Sequence, residues 1–399
     1  MWYFCKEKVV HFMIVRIKNG KLVLPDGIQE GLYLYYADGR ICAVTAQELP
    51  FQQEIDAAGN FVSPGFIDIH VHGGDGWEFI DATVDAVIAA ANIHAKHGTT
   101  TIFPTLSAFD ERTTVAALAA IAKSLDSASL LPNIGGVHLE GPYFSKNQCG
   151  AQDPQYIRDP DPEEYARITR QYGHLIKRWS YAPENPGSED FQRFLANHGI
   201  VGAAGHTDAE YCHIKAAFDL GCKLITHLYS ATSTITRKGG FRHLGVIESA
   251  YLLDEMDVEA IADGCHLPPL LLQLIYKLKG PEHMCLITDA IRYGGRTDCD
   301  AVESGTKSVP YIIEDGVAKL ADRSAFAGSI ATTDALIRTC VEKAGIPLWA
   351  AVKMLTQIPA RIMGLAQKGQ LKEGFDADLV IFDHQIRVKS VIIGGQIKV

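Results

Sequence analysis

The chain has 399 residues, 47% of them hydrophobic and 21% charged, with a formal net charge of −10. This is a globular balance, long enough for one large domain and a smaller one, and it excludes a disordered polymer. The acidic charge and the lack of any long Lys/Arg run argue against nucleic acid or an anionic membrane as partner, though a small anion needs only a local cationic pocket.

Residues 1–12 lack the basic start, long apolar stretch and cleavage site of a signal peptide. They fit the following pattern poorly, whereas Met13-Ile-Val-Arg-Ile-Lys18 begins a clean strand, so Met13 is the expected natural start. Residues 13–62 read as short strands with hairpin signals at Asn19-Gly20, Asp26-Gly27 and Asp38-Gly39. The middle of the chain then alternates apolar β-type runs with helical patterns, the mark of βα units around a parallel sheet. The runs lie near 66–72, 99–104, 134–140, 176–182, 200–206, 223–228, 257–263 and 283–289. Helical stretches cover about 83–97, with Gly98 as stop, and roughly 110–126, 162–172, 188–198, 208–220 and 268–278. Residues 369–399 return to strands, with a turn at Gly394-Gly395. The expected fold is α/β: a (β/α)8 TIM-like barrel over 63–368, with a small β-sandwich domain built from 1–62 plus 369–399. No apolar run approaches the roughly 20 residues of a membrane helix. Nine scattered cysteines without a C-x-x-C pair suit a reducing, cytoplasmic setting.

A barrel places its active residues at the C-terminal ends of its strands. In Phe66–His72, His70 and His72 share a face. Alone, such a pair is either a shared metal site or two histidines in packing or water. Other runs add weight: the third closes with Glu140, the fifth with His206, the sixth with His227, the seventh with Asp263 and His266, the eighth with Asp289. His138 shares Glu140's face and reads as an inward core histidine or a group behind the ligands. His94, His97, His174, His198, His213 and His283 lie on helices or near strand starts and read as packing or surface.

The chain resembles the amidohydrolase superfamily and, more narrowly, the N-acetylglucosamine-6-phosphate deacetylase family. The segments that carry this are Pro64-Gly-Phe-Ile-Asp-Ile-His-Val-His-Gly73, His97-Gly-Thr-Thr-Thr101, His138-Leu-Glu-Gly-Pro142, Gly205-His206-Thr207, Thr226-His-Leu-Tyr229, Ile261-Ala-Asp-Gly-Cys-His266, Thr288-Asp-Ala290, Ala327-Gly328-Ser329 and Gly369–Val380. His-x-His and Ala-Asp-Leu-Val mark only the superfamily; His-Leu-Glu-Gly-Pro with Thr-His-Leu-Tyr is far more specific. The resemblance implies that Glu140, His206 and His227 hold the metal common to these deacetylases. His70 and His72 match a second metal position, Asp289 the acid/base carboxylate and a possible contact of that second metal, and His266 a substrate contact. One or two divalent ions per chain follow, zinc foremost, with iron, manganese or cobalt also compatible with these ligands.

The implied chemistry is hydrolysis of the acetamide of N-acetylglucosamine-6-phosphate to glucosamine-6-phosphate and acetate. The metal lowers the pKa of bound water toward about 7 and polarises the carbonyl, and Asp289 moves the proton. Two departures matter. Gln152, next to Ala151, stands where many relatives place a histidine, and reads as a substrate contact or a plain loop residue. Ser230 replaces the family's asparagine before Ala231, and the family's short arginine motif is replaced by a stretch holding Arg237, Lys238, Arg242 and His243. These cations are either phosphate contacts, given across a homodimer as in the family, or a solvated basic loop. Alternatives are a deacetylase for another N-acetyl amino sugar (the galactosamine-6-phosphate or an unphosphorylated sugar), a different amidohydrolase, or a non-catalytic scaffold relative.

Overall fold

The computed structural model describes residues 13–296 and 309–399. Residues 1–12, set apart above, lie outside them. Eight parallel strands form the barrel: β1 (Phe66–Val71), β2 (Thr99–Leu106), β3 (Val137–Glu140), β4 (Ile176–Tyr181), β5 (Val201–Ala204), β6 (Leu224–Ile225), β7 (Asp257–Ile261) and β8 (Met284–Ile287). They pair in chain order. The ring closes just past the end of β8, against the C-terminal end of β1, where Asp289 N donates to His70 O at 2.9 Å and His72 N to Ala290 O at 2.8 Å. All eight expected runs are barrel strands. The third is split: Asn133–Ile134 pairs with β2, and Gly135-Gly136 separates it from β3.

Helices cover the barrel where the 3.6-residue pattern and caps place them. Thr83 caps Val84–Lys96 by accepting from Ala86 N at 3.2 Å, and Asp110 caps Glu111–Ser124 by accepting from Thr113 N at 2.9 Å. Short helices at Val246–Leu252, Thr333–Arg338, Leu348–Met354 and Gln357–Ile362 went unread in the sequence. So did two hairpins beyond strand ends, Thr236–Lys238 with Phe241–His243 and Tyr311–Glu314 with Val317–Leu320. Among the described residues, no helix is long and apolar enough to cross a membrane.

Trp179 on β4 shows how the outer layer is held. It is fully buried, its indole N–H donates to Gly141 O at 2.7 Å, and its ring meets Phe191 edge-on at 5.2 Å. Trp179→Ala removes that packing and leaves a cavity beside Glu140's strand. It is expected to cost about 3–5 kcal/mol, read as a lower denaturant midpoint at unchanged slope.

The two chain ends form two facing sheets. One runs Arg40–Thr45, Tyr33–Ala37, Val15–Lys18, Gln53–Asp56; the other runs Gln396–Ile397, Val388–Ile393, Leu379–Phe382, Phe61–Pro64, Lys21–Leu24, Gly27–Gln29. Val15, Ile17, Leu34 and Ile41 from the first sheet pack on Leu22, Val62, Leu379, Ile381 and Ile392 from the second. The Asp38-Gly39 and Gly394-Gly395 turns close hairpins, with φ +48/+71 and +56/+76. Asn19-Gly20 does not: it carries the chain from one sheet to the other. The strands it joins pair instead with Tyr33–Ala37 and Phe61–Pro64, and a Cβ at Gly20 would meet Val62 Cγ2 at 2.6 Å. The glycine serves a close crossing here, so a dipeptide signal alone misreads the topology.

Candidate metal centre and active site

Six side chains meet at the C-terminal mouth of the barrel. His70 lies within β1 and His72 just beyond it; Glu140 ends β3; His206, His227 and Asp289 follow β5, β6 and β8. The last three adopt positive φ, at +47, +27 and +49. Non-glycine residues there are strained, and such strain gathers at functional sites. Glu140 sits at the centre. Its Oε1 lies 3.0 Å from His227 Nε2, 3.1 Å from His206 Nε2 and 3.3 Å from His70 Nε2; its Oε2 lies 3.3 Å from His72 Nε2. Asp289 Oδ1 is 3.4 Å from His70 Nε2 and 3.2 Å from His72 Nε2. Two groups have metal-ligating spacing: His70 with Glu140 and His227, and His70 with His72 and Asp289.

The far nitrogen of each ring is engaged from behind. His206 Nδ1 meets Gln148 O at 2.8 Å, His227 Nδ1 meets Ser230 O at 3.1 Å, His72 Nδ1 meets Ser107 Oγ at 3.1 Å and His70 Nδ1 meets Glu259 Oε2 at 3.2 Å. A carbonyl or carboxylate only accepts, so Nδ1 of His206, His227 and His70 carries a proton, and in the neutral ring that binds a cation Nε2 presents a lone pair inward. His206 and His227 Nε2 then face each other at 3.2 Å, and His70 Nε2 is buried with no hydrogen-bond partner. Converging lone pairs beside two carboxylates suit a divalent cation, and nitrogen with oxygen donors suits zinc and its first-row neighbours.

Charge points the same way. Burial opposes protonation of His70 and His72, yet Asp289 and Glu140 outweigh it and raise them to about 9 and about 10. Burial alone would raise Asp289, but His70 and His72 bring it down to about 2; Glu140 is held well below the carboxylate range by His70, His206 and His227. The pocket therefore favours positive charge.

Above the cluster lies a cavity of about 380 Å³ lined by His72, Glu140, Ala151, Gln152, His206, His227, Ser230, Ala231, His266 and Asp289, among others. Gln152 is tied to the cluster: its amide N–H donates to Glu140 Oε2 at 2.7 Å and its oxygen accepts from Ala108 N at 2.8 Å. His266 is oriented by Asp263, Nδ1 to Oδ2 2.7 Å, and packs on Phe326 at 4.7 Å. The cationic stretch is not brought there. Arg237, Lys238 and Arg242 stand on the exposed hairpin, Lys238 and His243 pair with Glu210, and no lysine or arginine lines the cavity among the described residues. His138 faces inward between Thr105 Oγ1 and Ser180 Oγ, with its ring 4.6 Å from His70.

The sequence reading missed Arg178 and Glu259, which form a fully buried ion pair beneath the cluster. The signal was present: each is a charge inside a barrel strand. It also missed Glu78, Tyr311 and Phe326, which line the cavity from outside the barrel strands.

The sequence profile of the amidohydrolase family matches residues 61–398, and the chain belongs to that family. Members of this family are metal-dependent hydrolases. Within it, the chain falls among the N-acetyl-hexosamine-6-phosphate deacetylases. It is 32% identical to N-acetylglucosamine-6-phosphate deacetylase of Lysinibacillus sphaericus, over 97% of this chain and 98% of that protein. It is 28% identical to N-acetylgalactosamine-6-phosphate deacetylase of Shewanella sp. (strain ANA-3), over 96% and 95%. Among solved structures, a mutant N-acetyl-D-glucosamine-6-phosphate deacetylase from Mycobacterium smegmatis, in complex with N-acetyl-D-glucosamine-6-phosphate, superposes with TM-score 0.87 at 31% identity, covering 97% of this chain and 99% of that one.

Proposed function

We propose that the chain hydrolyses the acetamide of N-acetylglucosamine-6-phosphate to glucosamine-6-phosphate and acetate. The observation that carries this is the meeting of His70, His72, Glu140, His206, His227 and Asp289 at the floor of one cavity, in a chain with full-length deacetylase relatives. Glu140, His206 and His227 would hold one divalent ion and His70 with His72 a second, with zinc the foremost candidate. A bound ion supplies Lewis acidity, polarising the acetyl carbonyl and acidifying water toward pKa about 7.

The chain's own residues do the rest. Asp289, held ionised by its histidine neighbours, accepts a proton from the attacking water. It then returns one to the sugar nitrogen, which is too basic to leave unprotonated. Asp263 engages Nδ1 of His266 and so leaves its Nε2 for a substrate oxygen. Gln152 keeps Glu140 in place and borders the acetyl group. The phosphate lacks a cation within the described cavity lining, so we assign it to Arg237, Lys238 or Arg242 of a second copy in a homodimer, in the cytoplasm. Among the described residues we assign the β-sandwich unit to 13–64 with 369–399 and the catalytic unit to 65–368, since the expected boundary at 62/63 falls inside the strand Phe61–Pro64.

The test is acetate release over a panel: N-acetylglucosamine and N-acetylgalactosamine, each with and without the 6-phosphate. The glucosamine 6-phosphate is expected to lead; release that ignores the phosphate would contradict the assignment. Arg237→Ala with Arg242→Ala should raise KM for the phosphorylated sugar by roughly tenfold or more, because each charge-assisted hydrogen bond contributes about 1.5–3 kcal/mol. Rates on the unphosphorylated sugar should hold.

A further inference from the structure

The fully buried pair Arg178–Glu259 lies outside the cavity lining and takes no part in the proton transfers above. Its contacts reach both candidate metal positions. Glu259 Oε2 lies 3.2 Å from His70 Nδ1 and accepts from His227 N, also at 3.2 Å. The backbone carbonyl of Glu259 accepts from Leu228 N at 2.9 Å, so one residue grips His227 on both sides. His227 needs that grip, since its φ is +27. Arg178 mirrors this one residue earlier in the chain at each histidine. Its Nη1 holds the other Glu259 oxygen and donates to Ile69 O at 3.2 Å, while Nη2 donates to Thr226 Oγ1 at 3.0 Å. The residues just before His70 and His227 are thus both pinned by one guanidinium.

Stability alone explains such a pair poorly, because removing two charges from water costs as much as their attraction returns, and apolar residues of similar volume commonly do as well. A carboxylate behind a metal-ligating imidazole has a different use. It fixes the tautomer, aims Nε2 and raises the nitrogen's basicity toward a cation.

We infer that Glu259, with its charge balanced by Arg178, is a positioning residue that sets His70 and His227 together for divalent metal binding, so that both metal positions depend on one carboxylate. The inference rests on reading the cluster as a metal centre, and it does not depend on which substrate is hydrolysed.

The test is zinc titration of the full chain against a competing chelator, with metal content, far-UV circular dichroism and melting of the ion-free protein. In Glu259→Gln, which leaves the buried Arg178 charge without its carboxylate, the ion-free protein should melt lower than the parent, and zinc affinity, measured below that melt where the variant is folded, should fall roughly ten- to hundredfold. kcat should fall with occupancy, KM should hold, and excess zinc should restore turnover. The double variant Arg178→Met with Glu259→Leu separates this from a packing role: it should fold and still bind zinc weakly. Zinc affinity within twofold of the parent in either folded variant overturns the proposal. So does loss of fold in both, which would assign the pair to stability, or a parent chain that binds no zinc. A parent chain that binds zinc but releases no acetate would sink the deacetylase reading and leave this one standing.

Discussion

Asp289→Asn is expected to retain the fold and the ion at Glu140, His206 and His227, and to lower turnover by about 10²–10⁴-fold. The amide is nearly isosteric, so the backbone bond from Asp289 N to His70 O at 2.9 Å that helps close the barrel survives. What disappears is a proton acceptor: an amide cannot take the proton of water or hand one to a leaving amine. Burial opposes ionisation of the carboxylate, but His70 and His72 beside it hold it below the usual carboxylate range, so it is ionised at neutral pH and can accept a proton. Single-turnover acetate release, paired with elemental analysis and a thermal melt, measures the effect. Near-normal turnover in a folded, metal-loaded variant would remove Asp289 from its role.

Replacing His70 and His72 together by asparagine should cost one ion per chain and leave part of the activity. The two metal-ligating groups share His70, but only one contains His72 and Asp289. Glu140 Oε1 would still face His206 and His227 at 3.1 and 3.0 Å, with Gln148 O and Ser230 O behind those rings. That trio can hold an ion alone. Metal content after equilibration in excess zinc should fall from two per chain toward one. A fall to none would mean that His70 is essential to both positions, and no fall would mean that the pair holds no ion.

The site was legible because a parallel barrel turns sequence alternation into geometry. His70 and His72 share a face by period 2, and Glu140, His206, His227 and Asp289 each stand where an apolar run stops. The eight strands were legible for the same reason: their apolar runs are short, buried and bounded by turns. Three things were not. Asn19-Gly20 has hairpin chemistry, yet the distant strand Phe61–Pro64 decided its pairing. The hairpin at Thr236–His243 is exposed at nearly every position, so it lacks a buried face to set a period; the one at Tyr311–Leu320 does bury Tyr311, Val317 and Ala318, but its two strands have only four residues each, too few to establish one. Arg178 and Glu259 looked like interruptions in apolar strands. Their meaning lies in each other and in His70, across 81 and 189 residues of chain, and no local pattern carries that.

The most direct measurement is acetate release from N-acetylglucosamine-6-phosphate by the purified chain before chelation, after removal of all divalent ions, and after zinc is returned. Stoichiometric acetate and free amine are expected at the start, with loss of at least two orders of magnitude in rate on chelation and recovery with zinc. Full activity in the ion-free protein, or none in the zinc-loaded one, would contradict this expectation.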